Sequence, residues 1–288
     1  VAVRRRLESG RLSSIGAFDR EGALVGHMGI TRRPHGGTTA DAGMTLVDPA
    51  YRGRGIARRV AGGLAKQALA LGLVGVHDYP VTVHAATQRI GQGFGVETGL
   101  MLANMPSDVV FEQMDAEASC GRTSSVIRWL PFGQSPGRTV HLPDRYRAQL
   151  ESLYAACYLT RTIASPGPAS RESVLSASYD GRRRTLKCTV TVVGADLATL
   201  VARQMQASAR KGALVAHADL RLSDTASGYA VDVLRELGFF FSGLLPEYHD
   251  GDILRMQWVD DSVDVTSADV IALDSTRAIE AFVLEDRP

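Results

Sequence analysis

The chain has 288 residues, of which 45% are hydrophobic and 22% are charged, and its formal net charge is +1. This length allows two domains and this composition is that of an ordinary globular protein, whereas a general nucleic-acid binder would normally carry a strong basic excess. Every apolar run falls short of the roughly 18 residues that a membrane helix requires. We therefore expect a cytoplasmic protein without a nucleic-acid or membrane partner.

The cysteines predict neither a disulfide framework nor a metal site. The three of them, Cys120, Cys157 and Cys188, are far apart in the sequence and odd in number. Disulfide frameworks and zinc sites use even sets or closely spaced pairs. We expect buried or idle thiols and no metal cofactor.

The first part of the chain predicts three successive antiparallel strands. Ser14–Phe18 and Ala23–Arg32 are apolar runs separated by Asp19-Arg20-Glu21-Gly22, which is typical of a hairpin turn. A third strand over Ala42–Val47 follows a glycine-rich turn. The charged segment Val3–Leu12 is interpreted as the tail of a helix or a linker.

A glycine-punctuated loop then leads from the third strand into an amphipathic helix. Apolar residues recur in the helix at the spacing of one face: Ile56, Val60, Leu64, Ala68 and Leu71. The N–H groups at a helix N-terminus lack intrahelical partners and carry a partial positive charge, which favours an anion. Gly53 and Gly55 let the backbone approach that anion closely. Arginines around the loop add formal positive charge, so the pattern predicts a site for a pyrophosphate.

Two common nucleotide loops do not fit. A nucleoside-triphosphatase loop needs Lys followed by Ser or Thr after its last glycine, and no such pair follows Gly55. A dinucleotide fingerprint needs a third glycine where this chain has Arg58. The pyrophosphate must belong to another kind of ligand.

The loop fits the pattern Gln/Arg-x-x-Gly-x-Gly/Ala through Arg52, Gly55 and Ala57, and Val47-Asp48-Pro49 precedes it. It resembles the acetyl-coenzyme A loop of the GNAT (Gcn5-related) N-acetyltransferases. The resemblance implies acetyl-CoA as cosubstrate, with backbone N–H groups of Leu46 and Val47, at a bulge in the family's strand, stabilising the reaction's oxyanion. The implied cofactor-binding residues are Leu46, Val47, Arg52, Gly53, Arg54, Gly55, Ile56, Ala57 and Arg58.

The elements after this helix follow the family's order. A strand over Val74–Asp78, a short helix over His84–Gln92 and a strand over Glu97–Asn104 are predicted. In the family, the sheet opens between two parallel strands here and admits the pantetheine arm. Many members also carry a tyrosine that protonates the departing thiolate, but Arg89 stands at that position. The general acid therefore stays open, with Tyr79 nearby in sequence.

Three side chains are candidates for the general base. His84 lies where the coenzyme arm should pass and has a pKa suited to neutral pH, Asp41 begins the central strand, and His27 lies in the second strand. The alternatives are that His84 caps the short helix or is a plain surface residue, and that Asp41 belongs to a turn. A chain of water molecules, which many family members use, is a further alternative.

The second half predicts a similar order of elements without the same loop. Two strands over Ser173–Tyr179 and Thr185–Val193 are followed by a helix from about Leu197 to Arg210, a strand over Leu214–Leu220 and a helix over Ala226–Leu237, and Gly238-Phe239-Phe240-Phe241 comes next. At the position of the cofactor loop, Asp196 places a carboxylate at a helix N-terminus, where it would repel phosphate. We expect the second copy to have lost coenzyme binding.

We therefore predict an α/β fold of the α+β type with two tandem GNAT-like domains, each a mixed, mostly antiparallel sheet flanked by helices. The predicted divisions are residues 1–118, a linker region over 119–138, and a degenerate copy over 139–288. Strands are also predicted over Val109–Met114 and Ser125–Pro131, and a terminal helix after Val263. The arrangement is similar to tandem GNAT proteins of bacteria, some of which carry an upstream ATP-binding region. Since the chain begins at Val1, partway into the expected fold, we expect it to be the C-terminal part of a longer chain.

The predicted function is an N-acetyltransferase that moves an acetyl group from acetyl-CoA to a primary amine by direct attack within a ternary complex. The acceptor is a small-molecule or protein amine. The first alternative is a non-catalytic acetyl-CoA sensor that acts on an upstream or partner domain, which the missing tyrosine favours. The second is a structural or dimerisation module, a homodimer for example.

Overall fold

In the computed structural model, residues 2–33, 37–106, 121–265, 271 and 273–288 are described. The predicted strand Val109–Met114 and Cys120 lie outside these residues. The strands are β1 (Leu12–Phe18), β2 (Leu24–Arg32), β3 (Thr39–Val47), β4 (Gly75–Asp78), β5 (Val96–Met105), β6 (Thr123–Pro131), β7 (Arg138–Val140), β8 (Arg161–Ile163), β9 (Val174–Asp180), β10 (Thr185–Val192), β11 (Val215–Arg221), β12 (Phe240–Leu245) and β13 (Ile253–Val259). The helices are α1 (Ala2–Glu8), α2 (Ile56–Ala70), α3 (Ala85–Ile90), α4 (Arg147–Ala156), α5 (Leu197–Ala209), α6 (Ser227–Glu236) and α7 (Asp274–Asp286). Within the described ranges, no helix is long and apolar enough to cross a membrane.

The fold is a mixed α/β structure built on a large, mostly antiparallel sheet flanked by helices, as the sequence predicts. Eleven strands pair in the order β1-β2-β3-β4-β6-β5-β12-β13-β11-β10-β9. Parallel pairing occurs between β3 and β4 and between β10 and β11. A separate parallel pair joins β7 and β8, and the predicted strands include neither of them.

The two ends of this sheet follow the same order when each is traced inward from its edge. Antiparallel strands come first, then one parallel pair, and then two strands whose order in the sheet is the reverse of their order in the chain: β6 before β5, and β13 before β12. Where two separate sheets are expected, the strands instead form one sheet through contact between β5 and β12. The predicted domain divisions stay a prediction.

Two glycines allow this junction. Gly99 of β5 is directly opposite Gly243 of β12, and a Cβ built on Gly99 would lie 2.3 Å from the carbonyl oxygen of Ser242. Such a distance is far inside van der Waals contact, so a side chain at either position would force the strands apart. Glycine is therefore required here by the close approach of two backbones.

In the first half, α2 lies on the sheet with one apolar face. Its buried residues are spaced four apart along the helix: Ile56, Val60, Leu64 and Ala68. They pack with Val25 and Ile30 of β2 in one buried cluster. Because this face is fixed on the sheet, the loop that precedes α2 is also held at the sheet's edge.

In the second half, β10 and most of β11 alternate between apolar and polar residues. The apolar face carries, among others, Leu186, Cys188, Ala218 and Met256, which lie in the largest buried cluster together with residues of α4, α5 and α6. Cys157 and Cys188 are buried free thiols, and burial raises the pKa of each to about 12. The helices cover only this face, so the polar residues point to the opposite side of the sheet.

Replacement of Gly99 by alanine tests the junction. The new methyl group would lie against the Ser242 carbonyl oxygen, and such overpacking typically costs about 1–3 kcal/mol. We expect the free energy of unfolding, measured with urea, to fall by about that amount. As a control, Gly62→Ala adds a methyl group inside α2, where no atom lies within 4 Å, and should stabilise the protein by up to about 1 kcal/mol. Equal stability of G99A and the native protein would contradict the close approach.

Candidate functional site

One cavity of about 1440 Å³ connects the two halves of the molecule. It begins at the loop before α2, passes between β3 and β4, and ends against the polar face of β9, β10 and β11. Its walls therefore come from both halves, although the sequence predicts a site in the first half alone. Three parts of this cavity differ in chemistry: the loop, the gap and the inner end.

The gap exists because β3 and β4 pair over only three residues. Their register runs from Thr39 with Gly75 to Asp41 with His77 and stops there. Beyond that point β3 continues along β2 while β4 continues along β6, so the two parallel strands separate. Residues 42–48 form one wall of the gap and residues 78–81 the other.

A β-bulge in β3 shapes the first wall. Met44 has a φ of 55°, in the left-handed region, and the register with β2 shifts between His27 and Gly29. After the bulge, the N–H of Asp48 donates to the carbonyl of Val25. Successive N–H groups of a strand point to opposite edges, so the N–H of Val47 is directed toward the gap. The N–H of Leu46, paired with His27, is directed toward β2.

The loop before α2 presents backbone N–H groups to the cavity. Gly53 and Gly55 have φ angles of 74° and 72°, which favour glycine, and a Cβ on either would enter open space. Gly55 is the N-cap residue of α2 and supplies no capping side chain. The first intrahelical bond runs from the Arg59 N–H to the Gly55 carbonyl, so the N–H groups of residues 56–58 have no acceptor within the helix.

The arginines of the loop are not equivalent. Arg52 lines the cavity, with its Nε 3.4 Å from the Val47 carbonyl oxygen. Arg54 turns back to the Ala50 carbonyl at 3.0 Å, and the guanidinium of Arg58 lies 5.7 Å from the centre of the Phe94 ring. Neither of the last two side chains lines the cavity, whereas the other predicted cofactor-binding residues do: Leu46, Val47, Gly53, Gly55, Ile56 and Ala57.

Two hydrogen bonds stabilise the backbone of the same loop. The carboxylate of Asp48 accepts a hydrogen bond of 2.8 Å from the Ala50 N–H, and the hydroxyl of Tyr51 donates to Asp19 of the β1–β2 turn at 2.8 Å. These bonds fix the backbone between β3 and α2. The N–H groups are therefore held in place before any ligand arrives.

The three predicted bases differ in position. His84 lines the cavity; burial lowers its pKa and the charge of Arg52 lowers it further. Asp41 lies where β3 and β4 separate, 2.6 Å from a guanidinium nitrogen of Arg33. His27 is engaged on both ring nitrogens, by the Ser14 hydroxyl and the Met44 carbonyl. Of the three, only His84 belongs to the cavity wall.

Two residues that the sequence analysis did not assign as acid or base, Asp78 and Tyr79, lie on the second wall. Burial raises the pKa of Asp78 to about 6, although Arg128 opposes the shift, and its buried Oδ1 has no hydrogen-bond partner in the described structure. Burial, together with Tyr248 and Asp41, raises the pKa of Tyr79 well above its ordinary value. At neutral pH, Tyr79 therefore keeps its proton while Asp78 is mostly ionised.

The inner end of the cavity is formed by charged residues of the second half. Arg255 binds Asp219 through two hydrogen bonds of 2.6 and 2.9 Å, and the Nζ of Lys187 lies 3.2 Å from the same carboxylate. Burial raises the pKa of Tyr248, but Arg255 and Lys187 outweigh it and the pKa lies below its ordinary value. The sequence signal that could have found these residues is a charged residue between two apolar ones within a strand, as Asp219 and Arg255 are.

At the second half's counterpart of the loop, the chain covers its own helix N-terminus. The Asp196 carboxylate accepts a hydrogen bond of 2.7 Å from the Ser173 N–H, and the Ala195 N–H donates to Ser170. A Cβ built on Gly194 would lie 2.3 Å from the backbone of Glu172. The space that is open at Gly55 is filled here by residues 170–173. The described residues also include no cluster of metal-binding side chains.

Comparison with family models finds a match to part of the chain. A family model described as the acetyltransferase (GNAT) family matches residues 4–87. These residues include β1 to β4, the loop and α2. No curated protein is similar enough in sequence to match.

Solved structures of N-acetyltransferases are similar to parts of the chain. A chimera of the spermidine N-acetyltransferase SpeG from Vibrio cholerae and hSSAT is 11% identical over 44% of this chain and 71% of its own, with a TM-score of 0.35. An acetyltransferase from Salmonella typhimurium, solved with its cofactor acetyl-CoA, is 16% identical over 46% of this chain and 71% of its own (TM-score 0.36). The ribosomal-protein-S18-alanine N-acetyltransferase from Escherichia coli is 15% identical over 46% and 78% (TM-score 0.37).

Proposed function

From the premise that residues 4–87 form a segment of the GNAT acetyltransferase family, we propose that this protein transfers an acetyl group from acetyl-CoA to a primary amine. The observation that carries the proposal is the continuity of the cavity. An open anion loop, a gap between two parallel strands and a chamber with titratable side chains lie along one path. Donor and acceptor can therefore occupy the cavity together, as a ternary complex requires.

Coenzyme binding would use mainly the backbone. The pyrophosphate would accept hydrogen bonds from the N–H groups of the loop and of the first turn of α2, with Arg52 adding positive charge. The pantetheine arm would lie in the gap beside β3, whose peptide groups face the gap where β4 has turned away. This route brings the thioester to the N–H of Val47.

The transfer itself needs one attack and two proton movements. The lone pair of the amine nitrogen attacks the thioester carbon, a C–N bond forms and the C–S bond breaks, and coenzyme A leaves as a thiolate. The N–H of Val47 would stabilise the oxyanion of the tetrahedral intermediate, an effect of about 3–4 kcal/mol at comparable sites. The amine loses a proton to a base and the thiolate gains one from an acid.

Asp78 and Tyr79 suit these two roles. A carboxylate with a pKa of about 6 is ionised at neutral pH and can accept the proton of the amine. Tyr79 is protonated at neutral pH and so has a proton to give to the thiolate, although its raised pKa makes it a weaker acid than an ordinary phenol. Asp41 would orient Tyr79, whose hydroxyl lies 3.4 Å from the Asp41 carboxylate. His84 is the alternative base. Such a pair favours catalysis over the non-catalytic sensor, which has no need for either group.

Gly55→Glu tests the coenzyme site. The substitution places a carboxylate at the N–H groups of the loop, and we expect acetyl-CoA binding to disappear in calorimetry. Gly10→Glu is the matched control, because Gly10 also has a positive φ, of 67°, and open space around its Cα but lies outside the cavity lining. Both variants carry a similar backbone strain of about 1–2 kcal/mol. Binding by G55E at the native affinity would refute the assignment of the loop.

A pH profile tests Asp78. The pKa of Asp78 is raised to about 6 and its ionised form is the base, so kcat/KM for acetyl transfer should rise as the pH increases through about 6 and then level off. Asp78→Asn should lower kcat/KM by roughly 10²-fold and remove this rise. His84→Gln should retain the rise. The reverse outcome, with the rise lost in H84Q and kept in D78N, would transfer the role to His84.

Tyr79→Phe tests the general acid. Removal of the hydroxyl should lower kcat by about 10²-fold, while the KM for acetyl-CoA stays within a factor of about two because the coenzyme is held by the loop. Tyr229→Phe, which removes an exposed hydroxyl that donates to the Ala195 carbonyl in the second half, is the control. A Y79F enzyme with native kcat would exclude this tyrosine as the acid.

A further inference from the structure

The second half of the sheet turns a polar face toward the cavity. Neighbouring strands contribute polar residues in register, so that Ser178 of β9 pairs with Lys187 of β10, Lys187 with His217 of β11, and Asp219 of β11 with Arg255 of β13. Lys187, His217, Arg255 and Ser178 line the cavity. We call these five residues, together with Thr185, the inner polar face: Ser178, Thr185, Lys187, His217, Asp219 and Arg255.

Most of this face is withdrawn from bulk water. His217, Asp219 and Arg255 are 5%, 0% and 4% exposed, respectively, while the side chain of Lys187 keeps 34% exposure. Burial of charged groups costs free energy that their mutual attraction does not always return. A sheet face that only had to pack would carry apolar residues, as the opposite face of the same strands does. The inner polar face is therefore suited to a ligand.

The charges of the face do not balance. Lys187 and Arg255 share the single carboxylate of Asp219, which leaves one positive charge in excess. The neighbouring ion pairs are balanced, since Arg33 binds Asp41 and Arg183 lies 3.9 Å from Asp180 at the rim. The excess positive charge thus belongs to the pair Lys187 and Arg255, and it favours an anionic group on the ligand.

His217 adds a hydrogen-bonding atom without a partner. Its Nε2 is buried and makes no hydrogen bond within the described structure, although the residue lines the cavity. Burial and the charge of Arg255 lower its pKa to about 3, so the ring is neutral at pH 7. A buried nitrogen without a partner is costly unless a ligand satisfies it, and as an N–H it can donate to an anionic oxygen.

We propose that the inner polar face binds an anionic oxygen group of the acceptor, so that the substrate is an amine that also carries a carboxylate or a phosphate. This inference rests on the proposed acetyl transfer and specifies its substrate class. The acidic group would be held by Lys187 and His217, with Arg255 fixed behind them by Asp219. The amine end would point back to the Asp78 and Tyr79 wall. An acceptor with positive charges alone would meet the excess positive charge instead.

The test compares amines that differ only in the acidic group. Binding to the protein saturated with coenzyme A is measured by calorimetry for γ-aminobutyrate against butylamine and for O-phosphoethanolamine against ethanolamine. We expect at least one acidic amine to bind ten times or more tightly than its neutral partner, and the tighter of the two identifies carboxylate or phosphate. Lys187→Gln should remove this preference. Lys211→Gln, which removes the same charge from a site of the second half outside the cavity lining, should keep it.

The outcomes separate the two proposals. If coenzyme A fails to bind the native protein, the proposed function is wrong. If coenzyme A binds but the acidic amines bind no more tightly than the neutral ones, or none of the four binds, the acidic acceptor is wrong and the transferase proposal stands. A preference that survives in K187Q would also overturn the inference, because the anionic group would then be held elsewhere.

Discussion

The separation of β3 from β4 is the constraint on which the rest of the site depends. Two parallel strands that stayed paired would close the sheet, and neither a thioester nor an amine could reach the other between them. The pairing ends at Asp41 and His77, and each strand then follows its outer neighbour, β2 or β6. The bulge at Met44 adds to the divergence and turns the Val47 N–H into the opening. The gap in the middle of the cavity is therefore a property of strand pairing.

The two halves of the sheet use a similar strand order for different purposes. In the first half, the space before α2 is open and its N–H groups face the cavity. In the second half, residues 170–173 fill the corresponding space and the Asp196 carboxylate binds backbone there. The second half instead contributes the polar face of its strands to the cavity wall. One arrangement of strands thus supplies the proposed coenzyme site in one half and the proposed wall of the acceptor chamber in the other.

The sequence predicted those features that local patterns encode. Apolar spacing gave α2 from Ile56 onward, and the glycines at 53 and 55 indicated the anion loop, because each signal lies within a few residues. It did not predict the contact of Gly99 with Gly243 or the chamber wall at Lys187 and Arg255, since these depend on which distant strands become neighbours. Asp78 ends a predicted strand and Tyr79 follows it directly, but their pKa values depend on burial that sequence alone does not give. The alternation of polar and apolar residues in β10 and β11 could have indicated a polar face on this part of the sheet.

The contact between Gly99 and Gly243 also affects the distance between the two ends of the cavity. Because β5 and β12 meet without side chains between them, the proposed thioester end at Val47 and the proposed anion end at Lys187 belong to one continuous sheet, and their separation depends on strand spacing. The length of an acceptor would then be measured by the scaffold. A substitution that widened the junction of β5 and β12 would then alter which amine fits, while the proposed acid and base, Tyr79 and Asp78, stay the same.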